Sequence, residues 1–515
     1  MKGGERTLFV LLTMCTTAPL SAQCPDGTPP PCAAPAAPAP TPAPPPNSVA
    51  VLYFENMSRD TADAYLADGL TEELISHLGQ LDRLTVASRY AVRRHRGAVP
   101  EPRMLSRALG VAHLLTGSVR RAGRRLRVTV ELVRARSGER VWGQQYDRED
   151  TDLLDVQEDI ARAVATTIAG RLRPQERASL ATQSTSKPAA YDHFLRGNYY
   201  LAQRNPRSVA RAAEEYEAAA HLDPRFTAAL GRIGLCYEVL LFWGWGLEGL
   251  APESLLARGF AATDRALRQD SASSDAWMAR GALLAFRHPR TYEGVLAALE
   301  RAIALDPRNA EAFFQYGYIL RELGRDSAAA TAFLRALAIE PERPITLVTL
   351  ARSSLYERRY QEAAHWSDSA LVMDPGLYQA YAQRARARLQ LGKSAEARSD
   401  AETAVRLAVG DRAPEEAVLA LVEAQTGDSQ TARARVERVL AGMRDLRLAP
   451  YGTAFLGAVL VALEEPARAI DFLERLSPRG ARLWYQLRAP EFDALRSHPR
   501  FERLIEESRP PGAPR

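Results

Sequence analysis

The chain has 515 residues, of which 46% are hydrophobic and 25% are charged, a composition typical of folded globular proteins. That length corresponds to about three ordinary domains. The formal net charge is only +5, so a basic isoelectric point near 9.0 does not by itself indicate binding to nucleic acid, and no nucleic-acid partner is expected.

Residues 1–23 are predicted to be a signal peptide. Lys2 and Arg6 precede an apolar run from Leu8 to Leu20, and small residues follow that run. A spanning helix needs about 20 apolar residues, so this run is too short, and no later segment is apolar enough. We therefore expect no transmembrane segment in the mature chain, and a location in the periplasm or at the outer envelope.

Residues 24–47 are predicted to be a disordered tether. Between Pro25 and Pro46, eleven residues are proline and six are alanine, a composition that favours extended polyproline conformation. Gln23 stands where lipid attachment requires a small residue, which argues against a lipid anchor at Cys24. Cys24 and Cys32 either form a disulfide or stay unpaired, and the sequence leaves both open.

Residues 48–173 are predicted to form a small α/β domain with a mixed sheet. The clearest strand is 126–132, where Leu126, Val128, Val130 and Leu132 alternate with polar residues, as in a strand with one buried face. The other predicted elements are strands at 49–54, 83–88, 114–120 and 141–146, and helices at 64–81, 104–109 and 153–172.

Five short motifs follow one another in this domain. They are Ser48-Val49-Ala50-Val51-Leu52 with Phe54-Glu55-Asn56, Ala67-Asp68-Gly69-Leu70-Thr71-Glu72-Glu73-Leu74, Gly117-Ser118-Val119-Arg120, Val141-Trp142 and Tyr146-Asp147-Arg148. In these residues the domain resembles the TolB amino-terminal-domain family, FlgO-like proteins included. In that family the domain often follows a cyclase, kinase or winged-helix module and precedes tetratricopeptide repeats. Here the predicted signal peptide and tether stand where such a module would be.

After a linker at 174–188, residues 189–476 are predicted to form about seven tetratricopeptide repeats. Pro307, Pro341 and Pro375 each end a helical segment and are spaced 34 residues apart, which is the length of that repeat. Small residues fall where the two helices of a unit must approach closely, including Gly317 and Ala329. The predicted fold is therefore a small α/β domain followed by an all-α solenoid, with a C-terminal cap and tail at 477–515.

The second repeat carries an inserted aromatic segment near 241–256, with Trp243 and Trp245. These side chains either pack back onto their own repeat, which we favour, or contact a partner. Cys236 lies in a helical pattern and is predicted to belong to the core.

The inner groove of the repeats is the predicted binding site, because the first helices of successive repeats form one continuous surface. Arginine and aromatic side chains are the types that most often anchor interfaces, so the groove predicts a protein or peptide partner. The repeat frame assigns to it Phe314, Tyr318, Arg321, Val348, Arg352, Tyr356, Gln379 and Arg386.

Two charged clusters offer other hypotheses. Arginines flank a predicted hairpin turn and either grip an anionic polymer or envelope component or are simply solvated there; they are Arg120, Arg121, Arg124 and Arg125. Asp68, Glu72 and Glu73 form an acidic cluster on the first helix, which we expect to face solvent.

No catalytic motif is visible: the chain has no His-Glu-x-x-His, no Gly-x-Ser-x-Gly and no kinase element. We therefore expect no enzymatic activity, no cofactor and no metal. The leading hypothesis is a non-catalytic exported scaffold. The alternatives are a degenerate relative of a cyclase or kinase signalling protein with a residual enzymatic or regulatory role, and a binder of anionic polymers.

Overall fold

The computed structural model describes residues 43–514, apart from 98–100, 181–184, 246, 248–249, 290, 342, 410–411, 443–452 and 477–478. The predicted signal peptide, most of the predicted tether and the cysteines Cys24 and Cys32 lie outside the described residues.

A mixed sheet forms the centre of the first domain. Its strands are β1 Ser48–Val51, β2 Glu55–Asn56, β3 Thr85–Val86, β4 His113–Ala122, β5 Arg125–Arg134 and β6 Glu139–Glu149. The strand order is β3-β1-β4-β5-β6, with β2 paired to β4. β1 runs parallel to β3 and β4, whereas β4, β5 and β6 form an antiparallel meander. The predicted mixed sheet is confirmed.

Five helices accompany the sheet: α1 Ala64–Gly79, α2 Arg89–Arg93, α3 Pro102–Leu109, α4 Leu153–Ala169 and α5 Pro174–Leu180. α1 and α4 cover the face of the sheet that carries the alternating residues of β5, from Leu126 to Leu132, all of which are buried. The period of two read from the sequence therefore has its physical cause in this one covered face.

Three residues from different sequence motifs meet at one point in the fold. The backbone N–H of Phe54 donates to the hydroxyl of Thr71 at 3.0 Å, which ties the end of the first strand region to α1. A β-carbon at Gly117 would lie 2.7 Å from the carbonyl oxygen of Thr129 and 2.8 Å from the Phe54 ring, so only glycine fits there. Motifs that are distant in sequence thus meet at one packing point.

The structure corrects three predicted boundaries. The strand predicted at 49–54 ends at Val51, and the chain pairs again only at Glu55–Asn56. The strand predicted at 83–88 is reduced to Thr85–Val86, because α2 begins directly afterwards and its first turn is capped by Ser88. The predicted linker at 174–188 contains α5, so part of it is ordered helix.

Eight helix pairs follow in the described part of the chain, where the sequence indicated about seven repeats. The pairs are α6 Pro188–Ala202 with α7 Pro206–Leu222, α8 Thr227–Phe242 with α9 Pro252–Gln269, α10 Ser274–Arg287 with α11 Val295–Leu305, α12 Ala310–Glu322 with α13 Asp326–Ile339, α14 Pro344–Tyr356 with α15 Tyr360–Met373, α16 Tyr378–Gln390 with α17 Ser394–Leu407, α18 Ala413–Gln425 with α19 Ser429–Gly442, and α20 Phe455–Ala462 with α21 Pro466–Glu474. The predicted fold class is confirmed.

The α/β domain and the first three helix pairs share one hydrophobic core. α1 packs against α6 so closely that a β-carbon on Gly69 would lie 2.9 Å from the Leu195 side chain. Polar contacts join the domain to the repeats at two places: the Tyr65 hydroxyl donates to Asp192 of α6, and Arg308, in the turn before α12, pairs with Asp82 at 3.0 Å. The domain is therefore fixed to the beginning of the solenoid.

The chain ends in a folded segment that returns to the repeats. It consists of α22 Ala481–Leu487, a 3₁₀ turn at Pro490–Leu495 and α23 Pro499–Ser508. The backbone N–H of Ala481 donates to the carbonyl oxygen of Pro289, about two hundred residues earlier. We call residues 479–508 the C-terminal segment.

Replacing Ala329 with arginine tests the repeat packing. Ala329 is 1% exposed and faces α12, so Ala329→Arg would bury an unpaired charge in a full space. We expect the free energy of unfolding to fall by about 3 kcal/mol. The matched control is Ala328→Arg at the exposed neighbouring position, with an expected change within about 0.5 kcal/mol. Equal denaturation midpoints for the two variants would contradict the observed packing.

Candidate functional site

A large chamber lies between the α/β domain and the first helices of the repeats. Its volume is about 1930 Å³. One wall comes from α1, α2 and their flanking turns, and the opposite wall comes from α8, α10, α12, α14 and the beginning of α16. The inner face of the repeats thus lies opposite the chain's own first domain, across the chamber.

The residues predicted to line the groove mostly do line a cavity. Phe314, Tyr318, Val348, Arg352 and Gln379 face the chamber. Tyr356 and Arg386, together with Arg352 and Gln379, line an adjoining cavity of about 80 Å³. Arg321 lines neither cavity.

The C-terminal segment covers part of the predicted groove, which the sequence did not anticipate. The Tyr485 ring stacks on Tyr356 with centroids 4.3 Å apart and planes 5° apart. The Arg321 guanidinium lies between the Tyr318 and Tyr485 rings, 4.4 and 4.8 Å from their centroids, and Arg321 is fully buried. Arg321 is therefore inaccessible to a partner while this segment is docked.

Arg386 is engaged by the same segment. Its guanidinium makes a two-pronged ion pair with the Glu491 carboxylate, at 2.8 and 2.9 Å, and both side chains are almost completely buried. Arg386 also lies over the Phe455 ring at 4.5 Å. The arginine predicted as a ligand anchor instead anchors the end of its own chain.

The inserted aromatic segment packs back onto the repeats, as favoured from the sequence. Trp243 and Trp245 stack with centroids 5.8 Å apart, and Trp245 is only 7% exposed. The neighbouring Phe242 ring meets Tyr318 edge-on at 5.1 Å. Both tryptophans line the chamber and the smaller cavity. The insertion therefore adds aromatic lining to both cavities, which the sequence did not predict.

A charged cluster that no sequence pattern predicted lies in the chamber wall. Burial alone would raise the pKa of Glu311, but the charges of Arg343, at 2.5 Å, and Arg204, at 3.6 Å, outweigh burial and lower it to about 2. Burial raises the pKa of Glu238 to about 8, and the negative charge of Glu311 adds to that rise. Four residues from four different helix pairs build this cluster, so no local sequence signal could have shown it.

Asp68 of the acidic cluster on α1 is buried, contrary to the prediction, whereas Glu72 and Glu73 are partly exposed and line the chamber. Asp68 is 6% exposed and pairs with Arg96 at 2.7 Å; burial raises its pKa to about 6, although Arg96 opposes the rise. Glu73 accepts a hydrogen bond from Asn198, and burial raises its pKa to about 7. The prediction was wrong because α2 and α6 pack over this part of α1.

The arginines of the hairpin are largely neutralised within the domain. Arg121 pairs with Asp150 at 2.6 Å, Arg124 with Glu149 at 3.2 Å and Arg125 with Asp147 at 2.5 Å. Arg120 is exposed. Carboxylates that follow or lie on β6 thus already occupy most of this predicted anion site.

Three other features complete the description. Cys236 is buried and unpaired in α8, which confirms its predicted place in the core. Over the described ranges, no helix is both long and apolar enough to cross a membrane. In the same ranges, His, Cys, Asp and Glu side chains form no group of three that could hold a metal ion.

Comparison with known proteins identifies the repeats. A family model described as "Tetratricopeptide repeat" matches residues 296–344. The chain carries tetratricopeptide repeats. The matched residues cover nearly all of α11 and the whole of α12 and α13, and α12 and the end of α13 supply part of the chamber wall.

Two curated relatives match parts of the chain. A putative adenylate cyclase 3 of Rhizobium meliloti is 31% identical over 208 residues, 40% of this chain and 35% of that protein. A tetratricopeptide repeat and J domain-containing co-chaperone of Fusarium oxysporum is 29% identical over 183 residues, 34% of each chain. The chain therefore spans about a third of the length of these relatives.

Solved tetratricopeptide structures resemble parts of the solenoid. PilF of Pseudomonas aeruginosa is 20% identical, with a TM-score of 0.34, and the match covers 42% of this chain and 93% of that one. A repeat protein of Parabacteroides merdae is 15% identical, with a TM-score of 0.36, over 54% of this chain and 99% of that one. The type IV pilus biogenesis factor PilW is 17% identical, with a TM-score of 0.35, over 42% and 93%.

The raised pKa of Glu238 predicts a pH dependence of stability. Its folded pKa of about 8 lies above the ordinary value of 4.5, so the folded state binds the proton more tightly than the unfolded state. The stability that the neutral carboxyl provides is full below about pH 4.5 and is lost as the pH rises towards 8. The side chain of the Glu238→Gln variant is neutral at every pH. The free energy of unfolding of this variant, relative to that of the unsubstituted protein, should therefore rise by roughly 3 kcal/mol between about pH 5 and pH 8.

Urea denaturation at the two pH values measures this difference. Glu253→Gln, at an exposed position on the next helix, is the control and should show the same pH dependence as the unsubstituted protein. A parallel loss of stability in Glu238→Gln and the unsubstituted protein would contradict the assignment.

Two neighbouring ion pairs of the C-terminal segment provide a second test. Glu491→Gln leaves Arg386 buried with its charge uncompensated, and we expect a loss of about 3 kcal/mol in the free energy of unfolding. The exposed pair Arg358–Asp493 is the control, since Asp493→Asn should cost no more than about 1 kcal/mol. The double variant Arg386→Met with Glu491→Leu should recover most of the loss, because both charges are removed together.

Proposed function

We propose that this protein is a non-catalytic scaffold that holds a protein or peptide partner in the chamber between its α/β domain and its tetratricopeptide repeats. The observation that carries the proposal is the chamber itself: it is wide, and residues from both domains line it. Phe314, Tyr318, Val348, Arg352 and Gln379 would form one contact wall. The partner would meet aromatic, apolar and arginine side chains there, the combination that most often anchors protein interfaces.

The charges of the chamber favour a partner with polar groups of both signs. Arg89, Arg93 and Arg94, on and just after α2, line the wall formed by the α/β domain. Glu72 and Glu73, on α1, line the same wall. A segment with a single type of charge would meet repulsion from one of these groups. An extended or helical polypeptide with mixed side chains fits this lining better than a uniformly charged polymer.

The α/β domain would act as the second half of the binding site. We infer that residues 48–173 are a TolB amino-terminal-like domain; the contacts of Phe54, Thr71 and Gly117 support this, because they give the motif residues a common structural purpose. The predicted signal peptide would place the protein in the periplasm or at the outer envelope. There the predicted tether, residues 24–47, would separate the folded part from its point of attachment or from its partner.

A second candidate function is a regulatory relative of a nucleotide cyclase. The 31% identity to a putative adenylate cyclase over 208 residues favours it. Turnover of ATP in the presence of Mg²⁺ by the purified full chain would support this candidate and count against a purely scaffolding role.

Site-specific photo-crosslinking tests the scaffold proposal. A photoreactive amino acid at Arg352, in the chamber wall, should form a discrete adduct with a partner in intact cells. The control position is Val372, which is 75% exposed on α15, the second helix of the same pair, and should form none. An adduct from Val372 of equal yield, or no adduct from Arg352, would contradict binding in the chamber.

A further inference from the structure

β6 is a long edge strand, and no strand of the described residues pairs with its outer side. It has eleven residues and pairs only with β5 in the described part of the chain. Seven of its residues are exposed: Glu139, Arg140, Gly143, Gln144, Gln145, Arg148 and Glu149. A row of backbone N–H and C=O groups at a sheet edge is a template for pairing with another strand.

The charges of β6 are arranged in a self-complementary order. The strand reads Glu-Arg-Val-Trp-Gly-Gln-Gln-Tyr-Asp-Arg-Glu, so acidic and basic residues alternate at both ends. Charges and bulges also protect sheet edges from pairing, but protection requires no particular order of the signs. Antiparallel pairing of two copies would bring the Glu139–Arg140 end of one copy to the Asp147–Arg148 end of the other.

The register of such a pair follows from a bulge in β6. When an uninterrupted strand pairs with an antiparallel copy of itself, two residues can face each other only if their positions differ by an even number. The reason is that the backbone groups of successive residues point to opposite edges of the strand. In β6, Trp142 faces Leu132 while Arg140 faces Val133, so Val141 is an extra residue. The bulge therefore reverses the edges to which Glu139 and Arg140 point relative to the residues after Val141.

When Gln144 of one copy faces Gln144 of the other, the bulge places residues of matching backbone orientation and compatible charge opposite each other along the strand. Gly143 faces Gln145, and Trp142 faces Tyr146. Beyond the extra residue, Arg140 then faces Asp147, and Glu139 faces Arg148. Two opposite-charge pairs thus occur at each end of the strand, and cross-strand pairs of this kind stabilise antiparallel sheets.

We propose that β6 pairs with β6 of a second copy of this chain, antiparallel and about a two-fold axis through Gln144, so that the two sheets join into one. The interface is isologous: each copy contributes the same strand in the same way. The new pairs extend contacts already present within the domain, because Asp147 holds Arg125 and Arg127 on β5, and Arg140 holds Glu131. The proposal does not depend on the proposed function, since no chamber-lining residue among the described ones belongs to β6.

Charge exchange at the strand ends tests the pairing in solution. Sedimentation velocity of the full chain over a concentration series should show a monomer–dimer equilibrium. Arg148→Glu places like charges opposite each other at two symmetric sites, and the association constant should fall about tenfold or more. Glu139→Arg should have a similar effect, and the double variant should restore the association constant to within about threefold of the unsubstituted chain.

Two controls separate this effect from misfolding and from net charge. Thermal unfolding should be nearly unchanged in all variants, because Glu139 and Arg148 are exposed. Arg107→Glu makes the same change of charge on α3, away from the edge, and should leave the association constant unaltered. A chain that stays monomeric at every concentration, or single variants that associate as strongly as the unsubstituted chain, would overturn the proposal.

Cysteine crosslinking tests the register. In a chain with serine in place of Cys15, Cys24 and Cys32, Gln144→Cys should form a disulfide-linked dimer, since facing Cα atoms in an antiparallel pair lie about 4.5–5.5 Å apart. Gln145→Cys is the matched control: its copies are offset by two residues, about 7 Å along the strands, which exceeds disulfide reach once strand spacing is added. Equal crosslinking of both variants, or crosslinking of Gln145→Cys alone, would overturn the register and with it the proposed axis.

Discussion

The packing of α1 against α6 decides what the inner face of the repeats can do. At this junction Gly69 lets the Leu195 side chain approach the α1 backbone, and the two domains continue into one core. A flexibly attached domain would leave the repeats with an open groove. Because the junction is buried and close-packed, the domain instead forms a wall of the chamber.

The C-terminal segment imposes a second constraint on the same surface. Arg321, Tyr356 and Arg386 have the chemistry of ligand anchors, and the chain uses them to hold its own Tyr485 and Glu491. The two arginines can stay charged in the interior only because each guanidinium contacts aromatic rings or a carboxylate. A partner is therefore left with the chamber side of the inner face, where Arg352 and Gln379 lie.

The chamber and the outer edge of β6 are built from different residues. The chamber takes its lining from α1, α2 and the first helices of the repeats, whereas the proposed self-pairing uses the outer edge of β6. One sheet thus serves two purposes: its helix-covered face holds the domain together, and its last strand remains available at the edge. Pairing of two copies would place two chambers in one assembly without changing the lining of either.

Local pattern in the sequence was sufficient for the class of each domain. The alternation from Leu126 to Leu132 predicted a half-buried strand, because successive side chains of a strand point to opposite faces. The 34-residue spacing of Pro307, Pro341 and Pro375 predicted the repeats, because each repeat packs against its neighbour in the chain. Of the eight residues assigned to the groove from the repeat frame, seven line one of the two cavities, and their role in binding a partner stays a prediction.

What the sequence could not show was which distant elements would cover these surfaces. The contact of Asp68 with Arg96, the cluster of Glu238 with Glu311 and Arg343, and the pairing of Arg386 with Glu491 all join residues from different elements, up to 105 positions apart. Periodicity specifies the face on which a side chain lies, but not what will pack against that face. Only the tertiary structure decided that the groove would become a chamber, because its second wall comes from the α/β domain, which packs against α6 and contacts the turn before α12.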